Sequence, residues 1–160
     1  MELVPNAIVN MGYGLPADVA NIAAEEEASE LIILTTEAGS FGGVPAPPPH
    51  FGNTYNAEAM IHHGSMFDFY DGGGLDVAYL GLAEADQYGN VNVSKFGGSV
   101  TGPGGFINIT QSAKKVVYVG NFSVGSETKV ENGKLVIVKE GKHKKFREHV
   151  EQVTFSGRYA

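Results

Sequence analysis

The sequence predicts an α/β fold, an open three-layer sheet of mostly parallel strands with flanking helices. Two continuous apolar, β-branched runs, Ala7–Met11 and Leu31–Thr36, are typical of parallel strands that are buried on both faces. The segment between them, roughly residues 16–29, has apolar residues, Ile22 among them, at i, i+3 and i+4 spacing, which predicts a helix with this face buried. A strand, a helix and a strand in direct succession form one βαβ unit.

Length and composition indicate a single folded domain over residues 1–160. The chain has 160 residues, of which 42% are hydrophobic and 18% charged, so it can bury a sizeable core and does not resemble a disordered chain. The absence of cysteine excludes a disulfide scaffold, a thiolate nucleophile and a cysteine-bound metal. No apolar run approaches the ~18 residues of a membrane span and no signal-peptide pattern opens the sequence, so we expect a cytoplasmic protein.

The formal net charge of −7 is unevenly distributed along the chain. Residues 1–94 contain no lysine or arginine, whereas residues 95–160 contain all 11 of them. A surface without cations repels the phosphate backbone, so we expect no nucleic-acid partner. The basic cluster from Lys142 to Arg147 is interspersed with histidine and acidic residues, which predicts a solvated helix face. An anionic ligand at the acidic part must therefore be held by backbone N–H groups or by another polypeptide.

The later segments predict further strands and helices around one long loop. Residues Glu37–Pro49 contain so many glycines and prolines that we expect neither helix nor strand there, but a loop of the kind that carries function. Beyond it the patterns predict a short helix at 56–63, strands at 75–82, 90–94 and 115–120, a helix at 105–113, and a hairpin turning at Asn132-Gly133.

Glu37 is the best candidate for a nucleophile. It follows the second buried strand directly, and open α/β sheets place their ligands at the carboxyl ends of the strands. Nearby glycines such as Gly39 let a large ligand approach the backbone. Position alone also fits a glutamate in water at the edge of a loop. The chain has no cysteine and no serine in a Gly-x-Ser-x-Gly turn, which leaves the carboxylate as the candidate.

The glycine-rich segment Gly102–Phe106 is the second candidate site. It precedes a predicted helix, so its backbone N–H groups are free to hold a phosphate or the oxyanion of an acyl-transfer intermediate. Glycine pairs also form plain tight turns, and both interpretations stay open for this segment alone.

Neither the histidines nor the aspartates are spaced as metal ligands. His62 and His63 are adjacent and diverge on a helix, so we expect no shared metal. Asp68, Asp71 and Asp76 surround a triple glycine without the spacing of a calcium loop, and we expect them to form turns.

A third pattern, Gly12-x-Gly14-x-x-Ala17, fits the strand–turn–helix fingerprint of dinucleotide-binding proteins. Glu37 lies near the position where an acidic residue would bind the ribose hydroxyl. The motif is short, and Pro16 within it is unusual. The alternative function that it suggests is a nicotinamide- or flavin-binding module.

Several motifs together resemble one family. Asn10–Pro16 resembles the Asn-x-Gly-x-Gly-x-Pro signature of family I coenzyme A transferases, and Thr36–Gly39 resembles their Glu-x-Gly element, which carries the nucleophilic glutamate. Phe67–Gly74 and Gly104–Gln111 are similar to the acetate/propionate CoA-transferase branch in particular. The resemblance covers nearly all 160 positions in the family's order. It is to the C-terminal, beta-type half of the family's two-half chains, the half with the catalytic glutamate.

The resemblance implies a fold, an activity and roles for three residues. The fold is the open α/β sheet of the CoA-transferase (NagB/RpiA-like) type. The activity is short-chain acyl-CoA:carboxylate CoA transfer, on acetate, propionate or butyrate, by a ping-pong reaction through a glutamyl-CoA thioester on Glu37. The family's Gly-Gly element matches Gly104 and Gly105, where the N–H of Gly105 stabilises the oxyanion and Gly104 shapes the turn. Coenzyme A is then a substrate, and we expect no permanently bound cofactor and no metal.

The resemblance also implies partners. Relative to the family, we expect residues 1–160 to be a catalytic-glutamate domain truncated at both ends. It would act with a complementary CoA-transferase half or subunit, in a homo-oligomer. Because no cation precedes Lys95, the CoA phosphates would rest partly on that other half. The alternatives are the dinucleotide-binding module on Gly12, Gly14 and Ala17, and an inactive fragment.

Overall fold

The computed structural model of the protein describes residues 3–47 and 49–160. Its α-helices are α1 (Leu15–Glu25), α2 (His63–Phe69) and α3 (Phe106–Ser112), with a 3-10 turn at Ser29–Leu31 and a π-helical turn at Tyr70–Gly74. The first nine strands are β1 (Ile8–Met11), β2 (Ile33–Thr35), β3 (Ser40–Phe41), β4 (Val44–Pro45), β5 (Thr54–Tyr55), β6 (Ala59–Met60), β7 (Val77–Leu80), β8 (Glu84–Asp86) and β9 (Asn90–Asn92). The remaining strands are β10 (Lys95–Phe96), β11 (Ser99–Val100), β12 (Lys115–Tyr118), β13 (Ser123–Val124), β14 (Glu127–Glu131), β15 (Lys134–Lys139), β16 (His143–Lys144), β17 (Phe146–Arg147) and β18 (Phe155–Ser156). In this described part of the chain, no helix is both long and apolar enough to cross a membrane.

The chain folds into two compact units. The first unit comprises Met1–Gly81 with Gly104–Val119, and the second comprises Leu82–Pro103 with Gly120–Ala160. The description of residues 1–160 as one domain stays a prediction.

A mostly parallel sheet forms the centre of the first unit, in the strand order β12-β7-β1-β2-β3-β6. The strands β12, β7, β1 and β2 are parallel, and the short strands β3 and β6 add an antiparallel edge. Val9, Met11, Leu34, Val77 and Tyr79 of the parallel strands are buried in one apolar cluster. The predicted mostly parallel α/β fold is therefore confirmed.

Helix α1 connects β1 to β2 and differs from the prediction in its length and its buried face. It ends at Glu25 rather than near residue 29, and Glu27 just beyond it has a positive φ of 55°. Its buried side chains are Pro16, Ala17, Ala20 and Ala23, whereas Ile22 is 58% exposed. The helix thus packs through small residues, so the prediction that Ile22 faces the core was wrong.

The segment after the glycine-rich loop also differs from the prediction. The expected helix at 56–63 is absent, because Ala59–Met60 pairs as β6 with β3 and the helix begins only at His63. The loop prediction for Glu37–Pro49 was wrong where β3 and β4 form, and Pro48 within it lies outside the described residues. Short strands of this kind depend on pairing with distant residues, which local composition does not report.

The second unit contains a four-stranded sheet in the order β17-β8-β9-β18 and the hairpin of β14 and β15. The hairpin turns at Asn132 and Gly133, whose φ angles of 51° and 74° suit a two-residue turn, as predicted. The predicted helix face at 142–147 was wrong, because this segment forms the strands β16 and β17. Its Lys145 Nζ donates to the carbonyl oxygen of Leu82 at 2.7 Å, and burial lowers the pKa of the Lys145 ammonium.

Candidate active site

Glu37 stands on a tight turn at the carboxyl end of β2. The turn is closed by a hydrogen bond from the N–H of Gly39 to the carbonyl oxygen of Thr36 at 3.0 Å. Gly39 has a φ of 122°, and a Cβ there would collide with the carbonyl oxygen of Ile61, so only glycine suits this position. The hydroxyls of Thr36 and Ser40 lie 2.8 Å apart and buried behind the turn. The half-buried Glu37 side chain is thereby presented at the end of the sheet, as predicted from its position.

A buried chain of hydrogen bonds anchors the strand that leads to Glu37. Asn10 Nδ2 donates to the Tyr70 hydroxyl at 3.1 Å, and this hydroxyl donates to Thr35 Oγ1 at 2.8 Å. Thr35 Oγ1 in turn donates to the carbonyl oxygen of Val9 at 3.0 Å. The chain links β1, β2 and the turn after α2, and a buried polar network of this kind favours one backbone geometry. We infer that it fixes the position of Glu37, two residues beyond Thr35.

The Glu37 side chain lines a cavity of about 390 Å³ in the first unit. This volume is in the range of small-molecule sites, about 300–1,000 Å³. The cavity is lined by Glu37, His63, Phe67, Gly104, Gly105 and Asn108. The structure therefore brings together all three residues that the resemblance assigned to the site, although Glu37 is far from the two glycines in the sequence.

Gly104 and Gly105 are needed for different physical reasons. Gly105 has an ordinary backbone, with φ −77° and ψ 0°. A Cβ at this position would, however, lie 2.7 Å from Glu37 Oε2 and 2.6 Å from Phe67 Cζ, closer than atoms pack. Gly104 has open space around it but a φ of +54°, in the left-handed region that favours glycine. The turn can therefore approach the Glu37 carboxylate only because Gly105 has no side chain.

Sequence reasoning missed His63, Phe67 and Asn108. His63 Nδ1 lies 2.8 Å from the main-chain oxygen of Glu37, and its ring meets Phe67 edge to face at a centroid distance of 5.1 Å. Asn108 Nδ2 donates to Asp71 at 3.0 Å and 3.3 Å. His63 and Phe67 are four residues apart, so they lie on the same face of a helix. A predicted helix that began at residue 63 would have brought them together.

Asp71 and Asp76 have structural hydrogen bonds, and Asp68 lies inside a helix. Asp71 also accepts a hydrogen bond from Ser112 Oγ at 3.2 Å, and it thereby connects α3 to the turn after α2. Asp76 accepts from the N–H of Ile8 at 2.9 Å. Asp68 lies inside α2, so the prediction that it forms a turn was wrong. Among the residues that the structure describes, no three histidines, aspartates or glutamates are grouped as metal ligands would be.

The environment of Glu37 destabilises its charged form. Burial raises the pKa of the Glu37 carboxyl, and the positive charge of His63 opposes this increase with a smaller effect. A carboxylate that has lost part of its hydration is a better nucleophile than one in water. The cavity thus combines a partly desolvated carboxylate, a backbone turn in contact with it and space for a substrate.

The two glycines of the dinucleotide-like motif are explained by packing at Gly12 and by backbone conformation at Gly14. The N–H of Gly12 donates to the carbonyl oxygen of Tyr79 at 2.8 Å. A Cβ at Gly12 would lie 3.0 Å from this oxygen and 3.0 Å from Leu80 Cδ2, so the glycine allows the chain after β1 to pack against β7. Gly14 has a positive φ of 85° just before α1. No observation supports a bound dinucleotide.

Comparison with known proteins gives the family. No family model matches the sequence. Caffeate CoA-transferase of Acetobacterium woodii is 59% identical over 165 residues, which cover 100% of this chain and 32% of that protein. An acyl-CoA transferase of Escherichia coli O157:H7, solved as a thioester complex with CoA, matches with a TM-score of 0.87 and 42% identity. The match covers 98% of this chain and 30% of the transferase chain. The acetate CoA-transferase subunit beta of Haemophilus influenzae is 33% identical over 153 residues, which cover 88% of this chain and 64% of that subunit.

The matches define how much of such a protein this chain represents. This chain spans about a third of the length of the caffeate CoA-transferase and of the acyl-CoA transferase. The match to the Haemophilus influenzae beta subunit covers most of this chain. The family that the motifs resembled is thus confirmed by relatives that align over the whole chain. The chain belongs to the coenzyme A transferases and matches the beta-type portion of a larger enzyme.

Proposed function

We propose that this chain supplies the catalytic glutamate of a short-chain acyl-CoA:carboxylate CoA-transferase. The observation that carries the proposal is that the Glu37 carboxylate and Gly105 line one cavity, so close together that a Cβ at Gly105 would collide with Glu37 Oε2. The relatives named as caffeate and acetate CoA-transferases support the reaction type. Acetate, propionate and butyrate are the proposed acids. A hydroxycinnamate is the second candidate, favoured by the 59% identity to the caffeate enzyme.

The proposed reaction begins with attack by Glu37. One carboxylate oxygen bonds to the thioester carbon of acyl-CoA, the C–S bond breaks, and the CoA thiolate leaves with the electron pair. The thiolate then attacks the glutamyl carbonyl of the resulting anhydride, which releases the first acid and leaves CoA bound to Glu37 as a thioester. A second carboxylate repeats these steps in reverse. The thioester retains the bond energy, so the exchange requires no ATP.

The turn at Gly104 and Gly105 has the proposed role of stabilising the oxyanion. Attack on either carbonyl creates a tetrahedral intermediate with a negatively charged oxygen. The backbone N–H of Gly105 is the proposed donor to this oxygen, and Gly104 gives the turn its left-handed backbone. Losing one such donor typically raises the barrier by about 2.7–4 kcal/mol.

Coenzyme A and a second polypeptide region complete the proposed enzyme. The Haemophilus influenzae relative is a subunit by name, and the other two relatives are about three times as long as this chain. The first 94 residues contain no lysine or arginine to bind the CoA phosphates. We therefore assign part of this binding to a complementary half or subunit, in a homo-oligomer located in the cytoplasm. CoA is the substrate in this proposal, and no permanently bound cofactor or metal is included.

Trapping of the covalent intermediate tests the proposal. The complete enzyme is incubated with acetyl-, propionyl-, butyryl- or caffeoyl-CoA without an acceptor, and then treated with borohydride. We expect the glutamyl thioester to be reduced to the alcohol at Glu37 only, as located by peptide mass spectrometry, because a thioester is reducible and a carboxylate is not. Omission of acyl-CoA is the control and leaves Glu37 unchanged. Reduction at a different residue, or at none, contradicts the proposal.

The raised pKa of Glu37 predicts the pH dependence of the first step. Glu37 attacks only as the carboxylate, so the rate falls as the pH decreases through its pKa. Because burial raises this pKa, we expect the acidic limb of kcat/KM for acyl-CoA to have its midpoint above 4.5, the value of an ordinary glutamate. The profile is measured with the complete enzyme at saturating acceptor. A midpoint at or below 4.5 contradicts the expectation.

A further inference from the structure

The hydrogen bond between His63 and Glu37 determines which ring nitrogen of His63 is available. Nδ1 of His63 lies 2.8 Å from the main-chain oxygen of Glu37. A carbonyl oxygen only accepts hydrogen bonds, so Nδ1 must carry the hydrogen and donate it. Nε2 is then the remaining polar atom of the ring, and it carries a hydrogen only in the charged imidazolium.

His63 is one of the residues that line the cavity at Glu37. Its ring is held between the Glu37 carbonyl and the edge-to-face contact with Phe67. In the proposed reaction one negative charge passes between the Glu37 carboxylate, the CoA thiolate and the free acid in this cavity. The free acid carries this charge when Glu37 is a neutral thioester, and a hydrogen-bond donor close to Glu37 can then bind it.

We propose that Nε2 of His63 binds the free carboxylic acid substrate next to Glu37. The inference rests on the proposed function and adds the residue that recognises the acid. One carboxylate oxygen accepts the hydrogen bond that the imidazolium donates through Nε2. Phe67, in contact with the ring, lies beside the acyl group of the bound acid.

The hydrogen bond leaves the chemistry of the acid intact. The second oxygen of the bound carboxylate attacks the thioester carbonyl on Glu37, forming a C–O bond while the C–S bond breaks and the thiolate leaves. The thiolate then attacks the acyl carbonyl of the anhydride, which forms acyl-CoA and releases the Glu37 carboxylate. His63 keeps its proton throughout and acts by binding and orienting.

The charged groups near His63 are few in the described part of the chain. The Glu37 carboxylate faces it from the turn after β2 and interacts electrostatically with the ring. On its own helix, His62 Nδ1 is engaged by the N–H of Gly64, and Asp68 lies further along. Asp71, on the turn that follows α2, is engaged by Asn108 and Ser112. The incoming carboxylate thus has one histidine in the cavity available to it.

Two substitutions separate this role from the positioning of Glu37. In His63→Asn the amide nitrogen replaces Nδ1 as the donor to the Glu37 carbonyl, but Nε2 is lost. In His63→Gln the amide reaches further, to the position of Nε2, and the bond to the carbonyl is lost. We expect His63→Asn in the complete enzyme to raise the KM for the free acid about tenfold or more, the typical effect of losing a charge-assisted hydrogen bond, with the KM for acyl-CoA changed less than about twofold. His63→Gln should instead lower kcat, with a smaller rise in the KM for the acid.

A control and a direct measurement complete the test. His50→Asn changes an exposed histidine outside the cavity lining and should leave both KM values as in the wild type. Titration of 15N-histidine-labelled enzyme with acetate should move one Nε2 resonance, which is absent in His63→Asn. If the wild type forms the Glu37 thioester but the KM for the acid is unchanged in His63→Asn, or acetate moves no His63 resonance, this inference is overturned alone. If the wild type forms no thioester, the proposed function and this inference both fail.

Discussion

Replacing Glu37 with alanine is expected to reduce CoA transfer by the complete enzyme about 10⁴-fold or more, the order found when a covalent nucleophile is removed. The substitution removes the atom that forms the anhydride and the thioester, and no other carboxylate lines the cavity among the described residues. The fold should tolerate it, because the side chain is half-buried and its burial penalises the charged form. Steady-state acyl exchange and the thermal midpoint of the assembled enzyme check both statements.

Two further variants show whether the loss is specific. Glu37→Asp retains the carboxylate but withdraws it by one methylene, and a misplacement of this size is expected to cost about 100-fold in rate. Glu25→Ala removes an exposed glutamate at the end of α1 and should leave activity unchanged. The assignment of the nucleophile is wrong if Glu37→Ala exchanges acyl groups at the rate of Glu25→Ala.

Gly105→Ala is expected to reduce turnover about 100-fold, the typical cost of misplacing a reacting group by about 1 Å. The new Cβ would lie 2.7 Å from Glu37 Oε2 and 2.6 Å from Phe67 Cζ, so both groups must move. Each is the far end of a side chain and can move at a small cost in folding free energy. The effect should therefore appear in kcat, with the thermal midpoint of the complete enzyme almost unchanged.

Two other glycines serve as controls for this steric effect. Gly104→Asn introduces a residue that tolerates the left-handed backbone, and its Cβ would lie in open space. We expect this variant to lose activity only several-fold. Gly72→Ala adds a Cβ in open space at an unstrained backbone and should behave like the wild type. Equal losses in Gly104→Asn and Gly105→Ala would show that strain in the turn, rather than contact with Glu37, determines the rate.

The buried strands and the place of Glu37 were predictable from the sequence for a physical reason. The runs around Val9 and Leu34 are continuous and apolar, and most of their residues are buried, although Ile33 is 40% exposed. The position directly after the second run made Glu37 a candidate site residue. The proximity of Glu37 and Gly105 could be predicted only from the family resemblance, since the two residues are far apart in the sequence.

Several errors in the prediction have the same cause. The strands β3, β6, β16 and β17 have two residues each and exist because a distant segment pairs with them. Local composition favoured a loop or a helix at all four. The shift of α2 to a start at His63 had the largest consequence, because it concealed the pairing of His63 with Phe67 on one wall of the cavity.

The wide separation of Glu37 and Gly105 along the chain also affects biosynthesis. The ribosome releases β1 and β2 early, whereas the turn at Gly105 and the edge strand β12 emerge much later. Domains generally fold as units, with N-terminal regions appearing first. A nascent chain that lacks Gly105 has neither the cavity around Glu37 nor the amide that the proposed mechanism uses. In that mechanism Glu37 can therefore attack acyl-CoA only after Gly105 and β12 have been synthesised and the sheet has formed.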